Sequence, residues 1–510
     1  MKNKIIWIST LIIAIFISFQ YWNALQVQTA FPSEQWSRSF PITTEQSNYS
    51  KLQSVAHEDG YTISLLDFKK LVVLSCDSNM ICETNRIIDE LSTSRNTWSD
   101  HENSFYIRDN QLIHSTSQTA EVVIAANVMN FTKTDNTLIY WTEDQQVIVL
   151  DQSFSKEQQR LQLAEPITFA KILNNEVFIV TENKKGQYFT VHHVSDQLSK
   201  LFTIPVNGPE VLSSMHILQL ADGGYSFLLD TDILAGGKRT KTILAAPFDL
   251  SLNQSPTFSK LTFVDNEKQL KNIRFPQIYQ SEQGPIITFS ASLNDMDGNR
   301  VDKVFVSNSF GDVVDVSAVT KIDNRYERSM LINDQTVVYF KMTGPNRSLE
   351  YSSSNEQIKQ ASNGIMEGDY LAAAYAVIGD LFNGLLLILF SFIWITITLA
   401  ITYGVSSILH RIKLASAYKV AYMIHLIVLF STQFVFFHKF SLLENLIFRM
   451  PYVTESWQFT IVLVASIIIS TLPFLIFKYK VSEDTFHSII LYTTFMNVTI
   501  LFFAIGPYLF

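Results

Sequence analysis

Residues 128–163 read VMNFTKTDNTLIYWTEDQQVIVLDQSFSKEQQRLQL and form the most regular stretch of the chain. Apolar or β-branched residues recur in four short runs, at 128–134, 136–142, 146–152 and 159–163. Asn, Asp and Gln residues, which favour turns, separate the runs. The stretch therefore predicts a unit of four consecutive strands.

The same four-strand unit recurs along the chain. The five units start near Val128, Thr168, Met215, Phe275 and Arg328. The starts are 40, 47, 60 and 53 residues apart. The two longer intervals hold extended connections between the second and third strands, around 232–241 and 294–302, which we interpret as insertions on one rim. The fifth unit has a weak last strand near 357–360, and residues upstream of the first unit supply strands for one or two more.

Units of about 40–50 residues with four strands each are typical of β-propeller blades. In this blade plan the chain resembles the β-propeller superfamily, and the resemblance implies six or seven blades within residues 60–361. It names no narrower family, because the units carry no repeated Trp-Asp dipeptide and no kelch-type double glycine. A β-sandwich is the alternative fold, since short strands at this spacing also build sandwiches.

Apolar segments flank the strand-rich region on both sides. They lack Asp, Glu, Lys and Arg and approach the roughly 20 residues needed to cross a bilayer. The predicted transmembrane helices are residues 5–22, 383–409, 420–437, 457–477 and 488–510. The first is longer than a typical signal-peptide core and precedes a poor cleavage site, so an uncleaved anchor is favoured over a removed signal peptide. The predicted fold class is membrane α-helical combined with an all-β domain.

Lys and Arg residues beside these segments predict the orientation of the chain. Seven fall on one side of the predicted helices, namely Lys2, Lys4, Arg411, Lys413, Lys419, Lys478 and Lys480, whereas Lys439 and Arg449 fall on the other. Because cytoplasmic loops are enriched in Lys and Arg, residues 1–4, 410–419 and 478–487 are predicted to be cytoplasmic. The parts predicted to be extracytoplasmic are a lead-in at 23–59, the propeller domain at 60–361, a linker and interfacial helix at 362–382, the loop at 438–456 and the C-terminus. Residues 369–382 suit either a helix at the outer interface or an outward extension of the second span.

The two cysteines of the chain, Cys76 and Cys82, both fall in the predicted extracytoplasmic domain. They flank a five-residue loop in a strand-like stretch, and an extracytoplasmic compartment permits oxidation. A disulfide across a hairpin and two unpaired thiols both fit this spacing, because the sequence leaves the Cα separation open.

The charge and the motifs restrict the chemistry. A net charge of -9 argues against a nucleic-acid partner, since phosphate binding needs a basic face. No His-Glu-x-x-His, Gly-x-Ser-x-Gly or phosphate-cradling glycine motif occurs, so the sequence identifies no catalytic, cofactor-binding or metal-binding residue. The acidic stretch 295–302 departs from the calcium-loop pattern and is better explained as a hairpin turn. Ser153 and Lys156 have nucleophile-and-base spacing, but their polar context favours a solvated loop. His192 and His193 alternate across a strand.

Polar side chains stand out within the predicted spans because no charged residue interrupts them. His425 and Gln433 lie eight residues apart on the third helix, near one helical face, and Asn497 lies on the fifth helix. We predict that these three residues form an intramembrane polar cluster that holds the helices together. A polar translocation path is the alternative.

The sequence therefore predicts a multi-pass cell-membrane protein that presents an extracytoplasmic propeller for binding or sensing. The expected partners are the lipid bilayer and a membrane or extracellular protein, and the sequence identifies no small-molecule ligand. One alternative is an accessory subunit of a membrane transport, export or envelope-assembly complex. The other is an ectoenzyme at the propeller channel. Its candidate acids are Asp230, Asp232, Asp295 and Asp297, which the strand pattern assigns to rim loops.

Overall fold

A computed structural model describes the chain from residue 2 to residue 508, apart from short segments. Those segments are 44–46, 92–95, 117–120, 135, 152–153, 155, 175, 184–187, 196, 206–209, 236–237, 251–255, 295–299, 322–323, 367, 414–415, 440–445, 447–449, 451–452, 454 and 477–480. The chain divides into two compact units. Residues 31–295 and 300–363 form a unit of strands, and residues 1–30 and 364–510 belong to a helical unit.

The described strands form seven sheets, six of four strands and one of six. The first strands of neighbouring sheets contact one another around a ring. Asn96 links the second and third sheets, since its backbone N–H and its side-chain amide donate hydrogen bonds to Asn130 and Phe131. This topology is a seven-bladed β-propeller. The predicted blade plan is confirmed, and the alternative of a sandwich is wrong.

Blades 1 to 4 each consist of four consecutive antiparallel strands. Blade 1 contains β2 (Tyr49–His57), β3 (Gly60–Asp67), β4 (Lys70–Asp77) and β5 (Cys82–Ile88). Blade 2 contains β6 (Trp98–Ser99), β7 (Asn103–Arg108), β8 (Gln111–Thr116) and β9 (Val122–Ala125). Blade 3 contains β10 (Val128–Lys133), β11 (Leu138–Thr142), β12 (Gln146–Leu150) and β13 (Glu157–Gln162). Blade 4 contains β14 (Ile167–Leu173), β15 (Glu176–Asn183), β16 (Tyr188–Val194) and β17 (Leu198–Pro205).

Blades 5 to 7 depart from the simple plan. Blade 5 contains β18 (Glu210–Gln219), β19 (Tyr225–Ala235), β20 (Lys238–Phe248) and β21 (Ser259–Lys260). Blade 6 contains β24 (Ile273–Ser281), β25 (Gly284–Asn294), β26 (Arg300–Ser307) and β27 (Val313–Ala318), and β22 (Thr262–Asp265) and β23 (Lys268–Gln269) extend its outer edge. Blade 7 contains β28 (Arg325–Asn333), β29 (Thr336–Thr343), β30 (Asn346–Ser353) and the N-terminal strand β1 (Phe40–Pro41).

Strand β1 closes the ring, because it supplies the outer strand of blade 7. Phe40 pairs with Tyr351 of β30, and the two rings stack with centroids 5.3 Å apart. The weak last strand predicted near 357–360 is wrong, since helix α2 (Glu356–Ala361) occupies that position. Closure from the other end of the chain leaves no unpaired edge on β30.

The propeller begins earlier than predicted. Strands β1 and β2 both lie inside residues 23–59, which were predicted to be a lead-in. In β2 only Tyr49 is fully buried, and the other side chains are partly or fully exposed. Such a strand lacks the alternation of apolar and polar residues by which a half-buried strand is recognised in a sequence, so β2 was not predicted.

The described residues of the extended connections predicted in blades 5 and 6 are strand. Strands β19 and β20 form one long hairpin, and β25 and β26 form another. Hydrophobic cores lie between neighbouring blades. One of them joins Leu218 and Leu228 of blade 5 to Phe289 and Phe305 of blade 6. Burial of such side chains, worth about 1.5–3 kcal/mol each, packs blade against blade.

Five helices among the described residues are long and apolar enough to cross a membrane. They are α1 (Lys2–Thr29), α3 (Asp369–Arg411), α4 (Ala417–Lys439), α5 (Ser456–Ile476) and α6 (Glu483–Ala504). Residues 369–382, predicted to form an interfacial helix or an outward extension of the second span, are the first third of α3. The fifth predicted span ends as an α-helix at Ala504, and a 3₁₀ turn (Gly506–Tyr508) follows.

The helices of this second unit pack closely. Trp394 of α3 contacts the rings of Phe436 and Phe437 of α4, and Phe437 contacts Phe459 of α5. Gly506 approaches α3 at Gly384, where a Cβ atom added to Gly506 would lie 2.6 Å from the Cα atom of Gly384. A side chain at Gly506 would therefore push the C-terminal turn away from α3.

Candidate functional site

The antiparallel topology gives the propeller two distinct faces. The turns between first and second strands and those between third and fourth strands lie on one face, which we call the lower face. The hairpins between second and third strands and the connections between blades lie on the opposite, upper face. Short turns on a propeller face are positioned by rigid strands, as binding loops commonly are.

A cavity of about 1010 Å³ opens on the lower face between blades 5 and 6. Four turns border it: 220–222 of blade 5, 281–284 and 307–312 of blade 6, and the turn of blade 7 that contains Asp334. Two further segments contribute Gln35, Trp36 and Ser354. We call this space the lower-face cavity.

Contacts between blades 5 and 6 fix the turns that border the cavity. The backbone N–H of Gln219 donates to Oε1 of Gln280 (3.2 Å), and Nε2 of Gln280 donates to the carbonyl oxygen of Gln219 (3.0 Å). Gly284 has a φ of +122° and lies against Ala221, where an added Cβ atom would be 3.5 Å from the Ala221 Cβ atom. The turn of blade 6 thus needs a glycine at this position.

The floor of the cavity is buried and mostly apolar. Trp36 is wedged beside Val306, and its indole N–H donates to Oγ of Ser317 (3.0 Å). Leu261 and Pro285 also line the floor and are buried. Ser226 borders the cavity as well and is only 1% exposed, yet no described residue forms a hydrogen bond with its Oγ atom. A buried hydroxyl without a partner is unfavourable and is satisfied when a ligand or water provides one.

The rim of the cavity is acidic. Among the described residues that line it, the charged ones are Asp222, Asp312 and Asp334, and all three are exposed. Asp222 accepts a hydrogen bond from the backbone N–H of Gly224 (3.0 Å), and Asp312 accepts one from Oγ of Ser259 (3.1 Å). The cavity therefore combines a negative rim with an apolar floor.

The lower-face cavity also touches both ends of the propeller chain. Gln35 and Trp36 lie in the segment that follows α1 in sequence, and Ser354 directly follows β30. The backbone N–H of Ser37 donates to the carbonyl oxygen of Ser353 (2.8 Å), so the two segments run side by side. A molecule bound in the cavity would contact both segments that lead out of the propeller.

The candidate acids of the ectoenzyme hypothesis are not arranged as predicted. Asp230 and Asp232 lie on β19 and are buried, whereas rim loops were expected. Nζ of Lys241 lies 3.6 Å from Oδ1 of Asp232 and 4.0 Å from Oδ2 of Asp230, so one lysine offsets part of the charge of the two carboxylates. The rim-loop expectation fails because the hairpin stays in strand conformation past both residues. Asp295 and Asp297 lie outside the described residues.

The other residues singled out in the sequence are separated in the structure. His192 and His193 point to opposite faces of β16, since Nε2 of His192 contacts Oγ1 of Thr181 (3.2 Å) and Nε2 of His193 pairs with Glu176. Burial lowers the pKa of His192. Lys156 donates its backbone N–H to Asp151 (3.3 Å), and Ser153 lies outside the described residues, as does most of the acidic stretch 295–302.

Cys76 and Cys82 lie directly opposite each other on β4 and β5. Their Cα atoms are 4.0 Å apart, and the structure joins their sulfur atoms as a disulfide. The bond spans the hairpin between the third and fourth strands of blade 1.

The polar residues predicted to cluster in the helices lie in two hydrogen-bonded groups. Gln433 of α4 donates its side-chain amide to Oδ1 of Asn497 on α6, and Asn497 donates to Oγ of Ser466 on α5 (2.8 Å). In the second group, His425 contacts the hydroxyls of Thr402 (3.1 Å) and Thr494 (3.2 Å). His425, Gln433 and Asn497 are fully buried. The first group joins α4, α5 and α6, and the second joins α3, α4 and α6.

No sequence feature indicated the lower-face cavity. Its lining comes from turns and from two chain segments that are far apart in sequence. Each of these turns, taken alone, has the sequence of an ordinary hairpin connection.

The sheet topology assigns the chain to the seven-bladed β-propeller proteins. Solved structures of similar fold include the N-terminal domain of Nup159, at 11% identity and a TM-score of 0.38, which covers 64% of this chain and 94% of that chain. Another is the WD40 domain of coronin from Toxoplasma gondii, at 10% identity and a TM-score of 0.39, which covers 66% of this chain and 88% of that chain. No known family's sequence profile matches the chain, and no curated protein is similar to it in sequence.

Proposed function

We propose that this protein is a multi-pass membrane protein whose extracytoplasmic propeller binds a ligand or protein in the lower-face cavity and passes the binding event to its helices. The observation that carries the proposal is the position of this cavity beside both chain segments that leave the propeller. A ligand that binds more tightly to one arrangement of these segments than to another increases the population of the arrangement that it prefers.

The membrane part of the proposal is supported by the helices. Their surfaces expose large apolar side chains, such as Leu389, Phe392 and Phe495, as lipid contact requires. The excess of Lys and Arg on one side of the predicted spans supports an extracytoplasmic propeller. A disulfide at Cys76 and Cys82 is compatible with that compartment.

The orientation is tested by a compartment-sensitive reporter. We expect a periplasmic or extracellular reporter fused after residue 200 to be active, and a cytosolic reporter at the same position to be silent. A matched pair of fusions in the loop at 410–419 should give the reverse pattern. Activity of the residue-200 fusion in the cytosol alone would contradict the proposed orientation.

The transmission step is tested by filling the cavity. Ser309 lies in the turn between the third and fourth strands of blade 6 and lines the cavity, and Ser195 lies in the equivalent turn of blade 4. We expect a bulky maleimide on a Ser309→Cys variant to change hydrogen exchange in residues 31–39, 354–363 and the first turns of α3. The same label on Ser195→Cys should leave these segments unchanged. Identical exchange in the two labelled variants would refute transmission through the cavity.

An accessory subunit of a larger membrane complex is the second candidate, and a groove between α3 and α4 favours it. The groove, of about 390 Å³, is lined by Ile397 and Ile401 of α3 and by Val428 and Val435 of α4. Trp394 also lines it and is 1% exposed, yet no described residue accepts a hydrogen bond from its indole N–H. Acyl chains offer no acceptor, whereas a polar side chain of a partner transmembrane helix does.

This second candidate is tested by photo-crosslinking from the groove. A photoreactive residue at position 397 should give one discrete adduct with another membrane protein, and Trp394→Phe should reduce its yield. Trp457→Phe is the matched control, because Trp457 is exposed and donates to Glu455 (2.6 Å). Adducts with lipid alone would count against a partner helix.

A further inference from the structure

We infer that the lower-face cavity takes a short cationic peptide segment, in which Lys or Arg residues stand beside an apolar side chain, from a protein partner. The inference rests on the proposed function, since it assumes that the propeller binds a protein through this cavity. Three features of the cavity carry it: the sign of its charge, the nature of its floor and the unsatisfied hydroxyl of Ser226.

The negative charge of the rim favours a ligand with positive charge. Asp222, Asp312 and Asp334 come from three different blades, and they are the charged residues among the described lining. Like charges around one opening favour a cation and disfavour an anion. Exposed ion pairs contribute modestly, so the rim confers selectivity and the remaining affinity must come from the floor.

The floor selects an apolar side chain next to the cation. Trp36, Leu261 and Pro285 are buried, and Phe310 is partly buried at the edge. Aromatic and aliphatic surface of this kind supplies most of the affinity of a peptide anchor, as in other interfaces. A simple metal cation or a polyamine would leave this surface without a partner.

The hydroxyl of Ser226 selects a ligand with a hydrogen-bonding backbone. Its Oγ atom is buried and has no hydrogen-bond partner among the described residues. A hydroxyl can donate to a peptide carbonyl or accept from a peptide N–H. The volume of about 1010 Å³ lies at the upper end of ordinary ligand pockets, which suits several residues of extended chain.

The test uses the full-length protein in lipid nanodiscs and two fluorescent probes. One probe is an acetylated and amidated hexapeptide of alternating Lys and Leu, and the other has Glu in place of every Lys. We expect the Lys probe to bind at least about 10-fold more tightly than the Glu probe, and its affinity to fall as salt rises. Equal affinity of the two probes would overturn the inference.

Variants assign the binding to the cavity. Asp222→Asn combined with Asp312→Asn should weaken the Lys probe about 5- to 10-fold, and Ser226→Ala should weaken it about 3- to 10-fold. Asp109→Asn combined with Asp144→Asn is the matched control, because both residues are exposed and lie in upper-face turns of other blades. Loss of affinity in the control, or none in the cavity variants, would refute the site.

The two proposals fail in different ways. If the Lys probe does not bind, but the label at Ser309→Cys still changes hydrogen exchange in the linking segments, the inferred ligand class is wrong and the proposed function stands. If the probe binds and the residue-200 reporter is cytosolic, the cavity chemistry stands and the proposed orientation is wrong.

Discussion

Buried polar side chains are the most informative single residues of this protein. His216 on the inner strand of blade 5 is partly buried, and Asn497 in the helical unit is fully buried. The partners of each determine what a substitution will do, because a buried group that loses its partner is destabilising.

His216 gives the propeller a pH-dependent stability. Burial, and to a lesser degree the charge of Lys171, lowers the pKa of His216 to about 4. The unfolded chain takes up this proton near pH 6.5, so the free energy of unfolding falls as the pH drops from about 6.5 towards 4 and is unaffected above that window. At pH 5 the loss is on the order of 2 kcal/mol.

We expect His216→Gln to reduce the difference between the free energies of unfolding at pH 7 and pH 5, measured by urea titration. His101→Gln is the control, since His101 is exposed. An unchanged difference between the two pH values in His216→Gln would show that other groups cause the dependence.

Asn497 is expected to stabilise the helical unit. Asn497→Ala removes the acceptor for the Gln433 amide and the donor to Ser466. We predict a loss of about 1–2 kcal/mol, measured by detergent-induced unfolding in mixed micelles. Thr396→Ala should lose less than half as much, because the Thr396 hydroxyl bonds only to its own helix at Phe392. Equal losses would indicate that the hydrogen bonds of Asn497 to other helices contribute nothing to the stability of the helical unit.

Among the secondary-structure elements, the hairpin of β4 and β5 allows the contribution of the disulfide to stability, and its formation in the native protein, to be tested. The disulfide closes a short loop, with a sequence separation of 6. Cys76→Ala combined with Cys82→Ala should lower the free energy of unfolding by about 2 kcal/mol, the loop-closure contribution expected for such a length. Maleimide should label the native protein only after reduction. Labelling without a reductant would show free thiols and contradict the bond.

The sequence predicted elements whose signal is local and missed those whose partners are remote. Blade starts near Val128 and Thr168 agree with β10 and β14, because alternation and turn residues are read within one unit. Strand β1 was missed, because Phe40 becomes a strand residue only by pairing with Tyr351. The continuation of α3 back to Asp369 was left open, since Ala- and Leu-rich residues suit a separate helix equally well.

The candidate sites divide in the same way. Helical periodicity predicts that His425 and Gln433 lie near one face of α4, whereas their separate hydrogen-bond partners on α3 and α6 depend on how the helices pack. The lower-face cavity was not predictable, because its lining is assembled by the closure of the ring. Asp230 and Asp232 were misplaced, since the sequence does not reveal how far a hairpin extends beyond the sheet.

For the molecule as a whole, ring closure by both ends of the domain predicts which fragments fold. Residues 31–363 include all seven sheets and Trp36, whereas residues 49–363 lack β1 and expose the edge of β30. We expect the first fragment to be monomeric and to unfold cooperatively. The second should self-associate or unfold at lower denaturant concentration, because an open edge recruits other strands. Size-exclusion chromatography and circular dichroism distinguish these outcomes, and identical behaviour would show that β1 is dispensable.

Helix α3 continues without a break for 43 residues, a length of about 64 Å. That is roughly twice the hydrocarbon thickness of a bilayer. Tilting a straight helix of this length by 10° about one end displaces its other end by about 11 Å. No proline occurs in α3, so a tilt of the intact helix displaces the ends at Asp369 and Arg411 together.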